Sequence, residues 1–364
     1  MKRTTKNLLI GALLMALPLL FASCEDILGE WDRPTPANVA PSGDGGNTPA
    51  PNMLKTPLTL EAAEAGAKVT FTIKVATGPV EYSTDGTNWS AYTSATPITL
   101  AAVGDKVMFR GTNATYAQDV VNCSKISCDK DCYIYGNIMS LIKTEGFENE
   151  TTLTGDNTFS WLFSDNAHIK NHTDAAKNLM LPATKMTEYC YGYMFKNCTG
   201  LTRTPVIDVD CDRKNYCLHG MFQGCTNLTA VAEGSKISGE MGTECCYFMF
   251  DGCTNLASVP SDLLPSTELE VRCYYQMFHG CEKLEKAPKL PAETLKSGCY
   301  ANMFKNCISL NEVWVKAGYD AEKSSEMFTG CPNAPTSKFH TGGSETSWTT
   351  AFSNLSSWQF SAYE

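Results

Sequence analysis

The chain has 364 residues, 43% of them hydrophobic, and a formal net charge of −10, so it can hold two domains plus a leader. The acidic balance argues against nucleic acid, because a polyanion is held by clustered Lys and Arg and no basic run here exceeds two residues. Seventeen cysteines are unusual in a reducing cytosol and ordinary in an exported protein.

Residues 1–23 read as an export signal. Lys2, Arg3 and Lys6 form a positive start, and Leu8 to Leu20 is an apolar run too short to span a bilayer comfortably. The run ends at Phe21, Ala22, Ser23 and Cys24, which resembles a bacterial lipobox, with Phe21 where Leu is usual; Cys24 is then the lipidation site. Glu25 and Asp26 follow at once, and this acidic start resembles the signal that displays Bacteroidetes lipoproteins on the outer face of the outer membrane. Residues 24–52 make a lipidated flexible linker. From Trp31 to Asn52 it carries five prolines and three glycines, and at about 3.1 Å per residue it reaches up to about 70 Å.

Residues 53–122 alternate with period two over Lys68–Val75, Val80–Ser83, Asn88–Tyr92, Pro97–Leu100 and Lys106–Arg110. This predicts a small antiparallel β-sandwich, an Ig-like module, with a hairpin turn at Asp85–Gly86. Residues 123–157 form a junction. Cys123, Cys128 and Cys132 lie there, and the exported context favours a Cys128–Cys132 disulfide over a zinc site.

Residues 158–340 are a repeat array. The twelve-residue frame from Cys190 to Leu201 returns at Cys217, Cys245, Cys273 and Cys299, with decayed copies from Thr158 and Lys323. A fixed period of this size predicts a solenoid. Positions 1, 5, 6, 9 and 12 of the frame are apolar, position 7 varies freely, and position 8 holds Gly or Asn in all but the first decayed copy, the residues that most readily accept positive φ. We expect one helical turn over positions 1 to 6, a stop at position 8, and a brief strand such as Leu228–Val231 or Leu256–Val259. Residues 341–364, with Trp348, Phe352, Trp358 and Phe360, are the expected C-terminal cap.

The frame resembles the BspA-like leucine-rich-repeat surface proteins, whose repeats carry an A/M-F-x-x-C-x-x-L core; the resemblance covers roughly half the chain. It implies a leucine-rich-repeat solenoid with short parallel strands, so the expected fold class is mixed β/α, a small antiparallel sandwich followed by that solenoid. It also implies surface attachment or ligand binding without catalysis.

Cysteines stand together at positions 1 and 9 of the five close copies, and this co-occurrence predicts the disulfides Cys190–Cys198, Cys217–Cys225, Cys245–Cys253, Cys273–Cys281 and Cys299–Cys307. Cys123, Cys211, Cys246 and Cys331 are left without an assigned partner. Tyr191, Tyr274 and Tyr300 at position 2, Tyr247 and Tyr275 at position 3 and Tyr193 at position 4 could stack from repeat to repeat, as packing between repeats or as a ligand-contact ladder. His219, His279 and His340 read as solvated, as do His168 and His172, which have i, i+4 spacing without the Glu of a zincin motif. No catalytic residue, metal site or cofactor is expected.

The residues therefore support a non-enzymatic, lipid-anchored lipoprotein on the outer membrane, adhesin-like, binding a host or bacterial surface protein or glycan. A glycan-capture lipoprotein of an uptake system and a surface hydrolase are the alternatives. Fatty-acid labelling of the chain in a Gram-negative host should be lost in Cys24→Ala; label that persists contradicts lipidation there.

Overall fold

The computed structural model describes residues 52–364, which are mostly strand and turn. The sequence-predicted lipidation site Cys24 and most of the linker lie outside the described residues. The N-terminal part holds β1 (Leu58–Ala62), β2 (Ala67–Thr72), β3 (Val80–Ser83), β4 (Ser90–Ala91), β5 (Ile98–Leu100), β6 (Lys106–Gly111), β7 (Lys125–Cys128) and β8 (Cys132–Asn137). Alternation does what period two demands: Ala67, Val69 and Phe71 of β2 are buried, while Lys68 is exposed between them. One antiparallel sheet runs β8-β1-β6-β3-β4 and a second runs β5-β2-β7. The Phe71 ring meets Phe109 of the facing sheet edge-on at 5.5 Å. The β3–β4 hairpin turns where the sequence predicts. Gly86 has φ +80°, and the Asp85 carboxylate accepts from the backbone N–H groups of Thr87 and Asn88, both at 2.8 Å. The module does not end at residue 122, however. β7 and β8 complete one sheet each, because β2 and β1 would otherwise be left as open edges.

β8 also pairs in parallel with β9 (Ile169–Asn171) and, at its far end, with β10 (Leu179–Met180). The antiparallel sheet thus passes into the parallel stacking of the repeats. After it come β11 (Asp208–Asp210) and β12 (Lys236–Ser238), a parallel pair. A four-stranded parallel sheet follows, of β13 (Lys286–Leu290), β14 (Glu312–Val315), β15 (Lys338–Thr341) and β16 (Gln359–Ala362). The strands expected at Leu228–Val231 and Leu256–Val259 are single-residue bridges, Arg203 to Ala230 to Ser258.

The frame itself is not helical. Counting Cys190 as position 1, the residues at positions 0, 4 and 8 have positive φ: Tyr189, Tyr193 and Asn197, then Tyr216, Gly220 and Gly224, then Glu244, Phe248 and Gly252. A left-handed residue at every fourth place stops an α-helix from propagating. What forms is a run of reverse turns, each closed by an i→i−3 bond such as Met194 N–H to Tyr191 O, Lys196 N–H to Tyr193 O and Cys198 N–H to Phe195 O. The N–H groups at the even positions of the frame point to the next repeat: Tyr191 donates to Cys217 O, Tyr193 to His219 O, Phe195 to Met221 O and Asn197 to Gln223 O. The same register recurs from the Thr158 copy to the Lys323 copy.

Inside this backbone, the position-6 phenylalanines form one continuous stack, Phe163, Phe195, Phe222, Phe250, Phe278, Phe304 and Phe328. Their centroids are 5.3 to 5.9 Å apart, and all seven are fully buried. The stack ends against the C-terminal segment. Trp348 of α1 (Glu345–Ala351) and Phe352 meet Phe328 edge-on at 5.9 and 5.7 Å, and Asn354 Nδ2 donates to Phe328 O and Cys331 O, both at 3.1 Å.

The predicted disulfides are not formed. All sixteen described cysteines are free and buried, including Cys128 and Cys132. The reason lies in the turn geometry, which sends positions 1 and 9 into different ladders. Each position-9 thiol donates to the position-6 carbonyl of the preceding repeat: Cys198 to Phe163 O at 2.9 Å, Cys225 to Phe195 O at 3.0 Å, Cys253 to Phe222 O at 3.2 Å, Cys281 to Phe250 O at 3.3 Å, and Cys307 and Cys331 to Phe278 O and Phe304 O at 3.1 Å. Position-1 sulfurs instead face the neighbouring repeat: Cys190 Sγ lies 3.7 Å from Cys217 O, Cys217 Sγ lies 3.1 Å from Cys245 Sγ, and Cys299 Sγ donates to Glu270 O at 3.1 Å. Cysteine suits position 9 because it is a small apolar side chain that still carries a weak S–H donor.

Truncating the stack should show its weight. Phe250→Ala should cost about 3–5 kcal/mol in urea unfolding, Cys225→Ala about 1 kcal/mol for the lost donor, and Asp208→Ala at an exposed site less than about 0.5 kcal/mol.

Candidate ligand-binding face

The turns also decide which aromatics face solvent. Position 2 points inward. Tyr191, Tyr274 and Tyr300 are buried and their hydroxyls have no hydrogen-bond partner, which removes these three from the ligand contacts that the sequence suggested. Positions 0, 3 and 4 point outward. There Tyr193, Tyr247 and Tyr275 are half-buried and belong to a ladder the sequence showed only in part. Trp161 stacks on Tyr193 at 5.4 Å, Tyr193 meets His219 at 5.0 Å, His219 stacks on Tyr247 at 4.9 Å and Tyr247 on Tyr275 at 4.7 Å. Tyr189 and Tyr216, both at position 0, stack beside it at 4.4 Å. Gly220 sits at position 4 where its neighbours carry rings, because a Cβ there would lie 2.4 Å from the Tyr193 ring.

His219, expected in solvent, is buried in this ladder. Burial pushes its pKa down to about 4, the Lys196 charge adds to that, and the Glu244 backbone opposes it. Its Nδ1 is 4.0 Å from Glu244 Oε2, too long for a hydrogen bond.

At the N-terminal end the ladder opens into a groove of about 550 Å³. Trp161, Tyr189, Tyr193, Lys196 and His219 form one wall, and the loop Gln118–Val120 forms the other. Lys196 Nζ lies 5.1 Å from the Tyr193 ring centroid, a cation–π contact. The loop is held rigidly at its base. Asp119 accepts from Val121 N at 2.8 Å and from Asn122 N at 2.7 Å, and these bonds, Asn122 first, hold its carboxyl below the usual range. The loop presents apolar surface to water, since Val120 is 64% and Val121 68% exposed. The groove thus offers ring edges, a cation and an apolar rim, chemistry suited to holding a ligand.

A second titratable cluster, around Glu61, is closed. Glu61 accepts from Tyr135 Oη at 2.7 Å, Lys177 Nζ at 2.9 Å and His172 Nε2 at 3.2 Å. His172 Nδ1 accepts from Asp174 N at 2.8 Å, which places the ring proton on Nε2. Burial works to raise the Glu61 pKa, yet the three donors bring it below the usual value. With both oxygens occupied, Glu61 ties β1 to β8 and to the segment after β9. His168 faces Asp131 instead, at 2.9 Å, so the i, i+4 histidines do not share a site. His279 bonds Asp251 at 2.7 Å, and His340 stacks on Trp314 at 4.9 Å.

No protein-family model, curated protein or solved structure matches this chain.

His219 gives the ladder a pH signature. Its folded pKa lies below the unfolded value, so the unfolded chain binds the extra proton first between about pH 6.5 and 4. Stability from this residue is complete above the unfolded value and is lost as pH falls through that window, by up to roughly 3 kcal/mol. His219→Phe should flatten the stability–pH curve there; an unchanged curve contradicts the burial effect.

Proposed function

We propose that the protein is a non-enzymatic surface lipoprotein whose stacked repeats form a leucine-rich-repeat solenoid of the BspA-like kind, and that it binds surface molecules of a host or of other bacteria. The observation that carries this reading is the aromatic ladder with its groove. Rings from successive repeats line one face at about the spacing of neighbouring strands, so an extended partner running across repeats meets the same chemistry several times. Weak contacts repeated on one rigid array add through effective concentration. The connecting segments differ from repeat to repeat, as in 206–216, 232–244 and 261–272, while the phenylalanine stack stays constant. Specificity can therefore vary without touching the core.

Attachment would come from acyl chains at Cys24, which follows the apolar run in a lipobox-like setting; none of the described helices is long and apolar enough to cross a membrane. A glycan ligand captured for an uptake system is the second reading. It is favoured by the groove, where tyrosine rings, Lys196 and Asn157 offer apolar and hydrogen-bonding surface to a sugar polymer.

Screening the purified chain against glycan and matrix-protein arrays will separate the two. Trp161→Ala and Tyr193→Ala should each weaken the ligand found by roughly tenfold or more, as aromatic anchors do, and Tyr191→Phe, which alters only a buried hydroxyl, should not. Undiminished binding by both alanine variants, or turnover of a glycan or peptide, contradicts the reading.

A further inference from the structure

Three cysteines from different parts of the chain converge inside the stack. Cys217 and Cys245 occupy position 1 of successive repeats, whereas Cys211 follows β11 and lies outside the frame. Their sulfurs form a near-equilateral triangle, 3.1 Å from Cys217 to Cys245, 3.3 Å from Cys245 to Cys211 and 3.6 Å from Cys211 to Cys217. None of the three is exposed at all. The two repeats that carry the triangle break the frame at position 2. Tyr191 and Tyr274 stand there in the flanking repeats, but these two have Leu218 and Cys246, and the smaller side chains leave room for the third sulfur.

A second observation points to the same place. The Tyr191 and Tyr274 hydroxyls are fully buried without a partner, a costly state for a polar group. Tyr191 and Tyr274 stand at position 2 of the two repeats that flank the triangle, and neither O–H has anything to donate to.

We propose that Cys211, Cys217 and Cys245 form a closed, three-coordinate site for a soft monovalent cation of the Cu(I) class. An all-sulfur donor set selects soft ions and offers nothing to Ca²⁺ or Mg²⁺. Structural Zn²⁺ takes four ligands, and among the described residues only these three sulfurs lie within 4.8 Å of one another; Cys246, at 3.8 Å from Cys245, is not of the group. The in-plane point equidistant from the three sulfurs lies about 1.9 Å from each, so a metal–thiolate bond of about 2.3 Å places the ion about 1.2 Å out of the sulfur plane, or in that plane once each sulfur recedes by roughly 0.4 Å. Each thiol that becomes a thiolate ligand releases its proton to solvent, and copper stays Cu(I) throughout. The resulting net negative charge is what a dry interior opposes, and buried, unpaired phenolic O–H groups stand at position 2 of the flanking repeats. Because the site is buried, the ion enters as the repeats close during folding.

The test is to refold the full chain under anaerobic, reducing conditions with Cu(I) buffered by a chromogenic Cu(I) chelator, then desalt and measure copper by elemental analysis. The wild type should retain a single equivalent and show thiolate-to-copper absorption in the ultraviolet. Cys211→Ser should bind at least about tenfold more weakly, and Cys307→Ser, which alters a position-9 thiol away from the triangle, should bind as the wild type does. Far-UV circular dichroism checks the fold of each variant; if Cys211→Ser is unfolded, the wild-type stoichiometry and absorption alone decide. No retained copper in the wild type, undiminished binding in folded Cys211→Ser, or a disulfide joining any two of the three cysteines in protein isolated without added oxidant overturns the proposal.

Discussion

The repeat region depends on one constraint, the left-handed residue at every fourth position of the frame. It breaks each would-be helix into reverse turns and leaves alternate N–H groups without an internal partner. Those groups are satisfied by the next repeat. The cost is real, since a non-glycine residue at positive φ costs roughly 1–3 kcal/mol, and Tyr189, Tyr193, Tyr216, Phe248, Arg272 and Gln276 all adopt it. The return is a backbone in which neighbouring repeats are bonded in register over the whole frame. The phenylalanine stack and the position-9 thiols then fill the space this backbone encloses, and neither would line up without it.

The same geometry separates packing from recognition. Positions 1, 2, 5, 6, 9 and 12 face inward and are nearly all apolar, while positions 0, 3 and 4 carry the outward ladder. A ring moved by two positions passes from core to surface. Tyr191 and Tyr193 show this within a single repeat, one sealed inside and one lining the groove. The Glu61 cluster belongs to the first category in function: its three donors leave no free oxygen, so it joins the N-terminal sheets to the repeats.

Much of this was legible in the sequence, and the misreadings have physical causes. Period-two alternation marked the N-terminal strands, although β7 and β8 lay beyond the expected boundary because the pairing that claims them is long-range. The recurrence of Phe195 and its counterparts located the core, and Gly or Asn at position 8 announced positive φ there. Positions 0 and 4 gave a weaker signal. Gly or Asn stands there only at Asn157, Gly220, Gly298 and Asn302, and elsewhere they hold Tyr, Trp, Phe, Glu, Arg and Gln, residues that rarely adopt it, so a helix was expected where turns occur. The cysteines recur together because both positions are inside, not because they pair. His219 looked like a variable surface residue, since nothing local shows that Tyr193 and Tyr247 will enclose it.

The central claim is that alternate amides of the frame bind each repeat to the next, and native-state hydrogen exchange measures this directly. The account predicts that the position-6 amides of Phe195, Phe222, Phe250, Phe278 and Phe304 exchange slowly and with similar opening free energies, as one cooperative unit. Fast exchange at these amides, or widely different opening energies among them, would contradict it.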